Sequence, residues 1–235
     1  MNYQTPDLSR RAFASTNAQT IAQRAGLLQE LLPDARTIAE LCCGDCSRQW
    51  HTYTGMGTDF RFLGLDIEPN IVAHNRARGI PCVQGDVLDK TVLAQFSDFD
   101  VVFFGPPLSR DCDGHHLLAF REIVPAYRDV AQLLLGELMF NGMFICICPK
   151  TTSMGDINWL YEQMRHHRSD VGLRLIHHSY SALRGNGETT DVRLKYIELW
   201  FSSSLQDAWE LRLSQPVTER AGGQGKRPVY GEGNN

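Results

Sequence analysis

The sequence predicts one doubly wound α/β domain built on a mostly parallel sheet. Short continuous apolar runs alternate with stretches of helical period. Several of those runs end in loops that carry Gly, Asp or Pro. Near the C-terminus two strand-like runs follow one another directly, which predicts a closing antiparallel hairpin. A length of 235 residues suits a single domain with a sizeable core.

Each element has its own signal. Ala18, Ile21, Ala22, Ala25, Leu28 and Leu32 recur at helical spacing, with Thr16 or Asn17 as cap and Pro33 as stop. A strand follows at residues 37–42. The run 62–67 reads as a second strand, and Pro69 and Gly79 mark the start and end of the next helix. Residues 81–84 form a short strand, and Asp89 caps a brief helix. The run 99–104 predicts a strand buried on both faces. Leu117, Phe120, Val124, Tyr127, Ala131, Leu134 and Leu138 predict the longest helix within 116–140, with Pro125 kinking it or opening a fresh segment. A buried strand at 143–148, a helix around 157–167 and strands at 173–180 and 192–202 complete the order. Residues 1–34 form an N-terminal helical segment, 35–204 the domain proper, and 205–235 a C-terminal extension expected to be loose, being rich in Gly, Pro, Gln and Asn from about Gln215.

Hydrophobic residues make up 43% and charged residues 21%, ordinary for a globular protein. A net charge of −4 gives no global footprint for nucleic acid, although a local patch would suffice. The polar N-terminus carries no signal-peptide core. The longest apolar run is too short to span a bilayer, so no membrane partner is expected. Seven cysteines, an odd number, point to a reducing cytoplasm. The substrate (nucleic acid, protein or small molecule) and the oligomeric state are not fixed by the sequence.

In open α/β sheets ligands bind where loops leave the carboxyl ends of strands. Four such ends carry chemistry: Glu40-Leu41-Cys42-Cys43-Gly44-Asp45-Cys46-Ser47, then Gly64-Leu65-Asp66-Ile67, Gly85-Asp86-Val87, and Gly105-Pro106-Pro107-Leu108. In that order they resemble the class I S-adenosylmethionine-dependent methyltransferases, from about Thr37 to Ser202. The resemblance implies a seven-stranded Rossmann-like methyltransferase fold with S-adenosyl-L-methionine as cofactor. The family's first motif, Glu/Asp-x-Gly-x-Gly-x-Gly, is matched at Glu40 and Gly44, while Cys42 and Cys46 stand where glycines are usual. A cysteine fits there if its backbone keeps a negative φ and its side chain turns from the ligand. By the same resemblance Asp66, followed by Ile67, accepts hydrogen bonds from the ribose hydroxyls. Asp86 accepts from the adenine amine, and the Val87 N–H donates to the ring. A nicotinamide dinucleotide suits the loop poorly, because a pyrophosphate needs several close N–H groups and no carboxylates such as Glu40 and Asp45 beside it.

The segment Gly105–Leu108 resembles the Asn/Asp/Ser-Pro-Pro-Tyr/Phe loop of methyltransferases that act on planar nitrogen. Carbonyls of Gly105 and Pro106 remain available to hold such a nitrogen's hydrogens. Gly105 lacks the side-chain acceptor, however, and Leu108 lacks the stacking ring. Asp113 or His115 is a candidate proton acceptor and Arg110 an anion binder, the bland reading being a loop and helix cap. Methylation of oxygen or carbon on a small metabolite is one alternative. A catalytically silent adenosyl-binding partner or regulatory domain is another. Cys46, Cys112 and His115 could converge on a zinc or redox site, but the spacing is not that of a metal knuckle and no metal is expected. The pairs His166–His167 and His177–His178 lack ligand spacing and are expected to be solvated or interfacial.

Overall fold

The apolar runs become the strands of a sheet with helices on both faces. The structure is a computed structural model and describes residues 18–57, 59–108, 118–183, 189–206 and 208–218. β1 (Thr37–Leu41), β4 (Val101–Phe104) and β5 (Met143–Pro149) are buried along their whole length, as parallel strands covered on both faces must be. β2 (Arg61–Asp66) and β3 (Cys82–Gln84) extend the parallel part on the other side of β1. β6 (Gly172–Leu183) and β7 (Thr189–Ser202) pair antiparallel, and β7 also pairs antiparallel with β5. The order is β3-β2-β1-β4-β5-β7-β6-β8, with β8 at Ala208–Thr218. The seven-stranded frame and its closing hairpin are therefore as the sequence predicts.

Two apolar cores flank the sheet. Ile21 and Leu28 of α1 (Ala18–Leu31), Tyr53 of α2 (Ser47–Thr54) and Val72 of α3 (Pro69–Ala77) share one with Ile38, Phe103 and Trp200. Leu93 of α4 (Lys90–Leu93), Val130 of α5 (Tyr127–Ala131) and Leu160 of α6 (Met154–His167) share the other with Ala39, Phe104 and Phe144. Pro69 opens α3, and Gly79 follows it with φ +76°. The Asp89 carboxylate accepts from the Thr91 and Val92 N–H groups at the start of α4. Ser153 and Asp156 form a reciprocal capping box that starts α6.

Three expectations change. The long helix within 116–140 is a 3-10 turn (Phe120–Glu122), then α5 and a π-helical continuation (Gln132–Glu137). Pro125, cis to Val124, lies before α5, so it opens a fresh segment. α2 has no counterpart in the sequence reading, because Ser-Arg-Gln-Trp-His-Thr-Tyr-Thr shows no apolar period and buries only Gln49 and Tyr53. Finally, β8 lies inside the 205–235 stretch, pairs parallel with β6 and adds an eighth strand at the edge. Among the described residues no helix is long and apolar enough to cross a membrane. Residues 184–188, between β6 and β7, lie outside them.

Candidate cofactor site

Strand order reverses between β1 and β4, so their outgoing loops diverge and leave a crevice at the carboxyl edge of the sheet. The register places the predicted loops together there: Leu41 lies beside both Leu65 and Phe104, and Asp66 beside Gln84. Backbone bonds fix them, from Cys43 N–H to Leu65 O at 3.0 Å, Gly85 N–H to Asp66 O at 3.1 Å and Gly105 N–H to Leu41 O at 3.2 Å. Pro106 is buried beside Gly105. Asp113, His115, Arg110 and Cys112 lie outside the described residues.

The Asp66 carboxylate organises the centre. One oxygen accepts from Gly44 N–H at 2.9 Å and the other from Glu68 N–H at 3.0 Å. A carboxylate has about four acceptor positions, so lone pairs remain for a ligand. Burial pushes Asp66 above the ordinary carboxylate range against those two bonds. Asp86 is exposed and accepts from Leu88 N–H at 2.9 Å. Ile67 and Leu88, 57% and 40% exposed, offer apolar surface beside the two acids, and Val87 is buried. Asp45 is engaged elsewhere, capping Ser47 N–H and pairing with Arg78 at 3.4 Å.

Glu40 lies under the loop. It is 4% exposed; Gln49 donates to one oxygen at 3.3 Å, while the other has no hydrogen-bond partner among the described residues. Burial raises its pKa to about 7, with Arg24 and Gln49 opposing. Arg24 does not neutralise it directly, because its guanidinium donates to Glu198 at 2.6 and 3.0 Å. Trp200 Nε1 donates to the second Glu198 oxygen at 2.9 Å. Arg24 and His178 hold Glu198 far below its ordinary range despite its burial. No local sequence pattern signals this buried group, whose members come from α1, β6 and β7. His178, expected to be solvated or interfacial, is instead fully buried 3.2 Å from Glu198.

The two loop cysteines behave differently. Cys42 adopts φ +58°, against the expected negative φ, and Gly44 adopts φ +54°. Burial, then the charges of Asp66, Asp86 and Glu40, push the Cys42 thiol far up. Cys46 keeps φ −93° as the N-cap of α2, and its fully buried side chain turns into the core behind the loop. Among the described residues no group of three or more His, Cys, Asp or Glu is arranged to hold a metal ion.

No protein-family profile matches the sequence, and no curated protein matches it. Solved structures do. Precorrin-6y C5,15-methyltransferase from Geobacter metallireducens GS-15 superposes with TM-score 0.52 at 13% identity, over 84% of this chain and 95% of that one. The methyltransferase domain of bacterial CtHen1-CN superposes with TM-score 0.54 at 10% identity, over 79% and 100%. The fold is that of the class I methyltransferases. A buried carboxylate oxygen without a partner among the described residues, as at Glu40, favours a donor or a cation beside it.

Proposed function

We propose that the protein is an S-adenosylmethionine-dependent methyltransferase. The observation that carries this reading is the placing of three carboxylates, Glu40, Asp66 and Asp86, at the carboxyl ends of the adjacent strands β1, β2 and β3, with Asp66 bonded to the Gly44 N–H of the first loop. Such a field favours a cation and repels a pyrophosphate. When bound, S-adenosylmethionine supplies a methyl group already activated on a sulfonium. The chain's own residues bind and orient. Glu40 faces the positive methionine end, Gly44 lets the backbone approach closely, Asp66 accepts from the ribose hydroxyls and Asp86 from the adenine amine. Cys42 and Cys46 contribute backbone, and Ile67 and Val87 border the adenine.

The acceptor is held at Gly105–Pro106, whose carbonyls can take hydrogen bonds from a planar amine or amide and aim its lone pair. Asp113 and His115 are the candidate proton acceptors. The work of the protein is positioning and water exclusion.

Isothermal titration with S-adenosylmethionine and S-adenosylhomocysteine tests the reading. Binding is expected, with at least about a tenfold weakening in Asp66→Ala. No binding to the intact protein would overturn it. Incubation with methyl-labelled cofactor and cell extract separates acceptors: label on nitrogen is expected, and label confined to oxygen or carbon would defeat the nitrogen preference.

A further inference from the structure

Three thiols meet behind the first loop. Cys43 leaves β1, Cys46 caps α2 and Cys82 lies on β3; they are 5%, 0% and 5% exposed. Cys43 Sγ is 3.7 Å from Cys82 Sγ, and either thiol can be the donor. The sulfurs can meet because β2 carries no side chain at Gly64. A Cβ there would sit 2.8 Å from Cys43 Sγ and 3.4 Å from Cys46 Sγ.

Asn75, fully buried on α3, ties this cluster to the loop. Its amide nitrogen donates to Gly44 O at 2.8 Å and points at Cys43 Sγ and Cys82 Sγ from 3.8 and 3.9 Å. The Cys43 hydrogen bond lowers the Cys82 thiol from its ordinary value; burial opposes this, while Asn75 and Arg76 assist. Cys42, Cys146 and Cys148 are all pushed the other way by burial. Thiolate character is what makes a cysteine oxidisable, so Cys82 is the chemically distinct one.

We propose that Cys43 and Cys82 form a reversible disulfide, an oxidation site that couples redox state to the Gly44 loop. With a hydroperoxide as oxidant, the Cys82 thiolate attacks the terminal oxygen, the O–O bond breaks, and water (or alcohol) and a sulfenic acid result. The Cys43 sulfur then attacks the Cys82 sulfur, the S–O bond breaks, and the Cys43 proton leaves with hydroxide as water. Two thiols lose two electrons and two protons to the peroxide. Closing 3.7 Å to the about 2.05 Å of a disulfide draws Cys43 across Gly64 toward β3. Gly44 is its neighbour in the chain, so its N–H moves against Asp66 Oδ2. The disulfide stands independently of the methyltransferase reading, whereas its effect on cofactor affinity rests on it.

Peptide mapping tests the site. The full chain is reduced, treated with hydrogen peroxide, blocked with N-ethylmaleimide and digested with trypsin. The expected product links peptide 37–48 to peptide 79–90, is lost on dithiothreitol treatment and is absent from Cys43→Ser and Cys82→Ser. Fragment ions of the linked pair from the unaltered protein assign the sulfurs even where a variant fails to fold. Free thiols throughout, or a disulfide within peptide 37–48, would overturn the pairing. Oxidation is also expected to weaken S-adenosylhomocysteine binding by about tenfold or more, reversibly. Unchanged affinity would overturn the coupling to the loop. If the reduced protein binds no S-adenosylhomocysteine, the methyltransferase reading fails while the peptide result still decides the disulfide.

Discussion

Cys42 holds a backbone conformation that side chains seldom adopt. Its φ of +58° lies in the left-handed region, where a β-branched residue clashes with its own carbonyl. Cys42→Val is expected to destabilise the protein by about 1–3 kcal/mol in urea denaturation. Glu40 sets a second expectation. Its pKa rises on folding to about 7, so the folded state binds the proton more tightly than the unfolded state. Stability from this group is present below the ordinary carboxylate range and is lost as pH rises toward about 7. A cationic ligand requires the ionised form, so affinity for S-adenosylmethionine should fall up to about tenfold per pH unit below neutrality. Titration calorimetry across pH checks this, and Glu40→Gln should flatten the profile. Glu40, Gly44, Asp66 and Asp86 were legible because order and spacing of acids and glycine are local signals. The φ of Cys42 was not, since nothing in a cysteine's neighbours announces a left-handed backbone.

At the scale of elements, legibility follows apolarity. β1, β4 and β5 read directly as uninterrupted apolar runs because both faces are buried. α2 did not, since it fully buries only Gln49 and Tyr53, with Trp50 packed partly against the same core. α1 carries a buried charge that its helical pattern conceals. Arg24 lies under Phe103, with its guanidinium carbon 4.6 Å from the ring centroid, and donates to Glu198. Arg24→Met preserves helix and volume but strands the Glu198 carboxylate in the core. It is expected to destabilise by about 3–5 kcal/mol, read by chemical denaturation. Replacing Arg24 and Glu198 together with apolar residues should recover most of that loss.

The whole sheet shows where sequence reading stops. The parallel half and the hairpin followed from alternation, yet β8 did not, because its placement depends on a free edge of β6 some distance back in the chain. Removing residues 207–235 would uncover that edge. A lower melting temperature and concentration-dependent aggregation are expected, measured by thermal scanning with light scattering. Unchanged melting would show that the seven inner strands suffice.

Arg24 and Glu198 lie 174 residues apart, which fixes an order of events during synthesis. A ribosome adds about 5–20 residues per second, so the guanidinium waits on the order of ten seconds or more for its carboxylate to be made. Until then the Arg24 guanidinium lacks the carboxylate to which it donates in the folded chain. The polypeptide is thus seated at its beginning only after β7 has been translated.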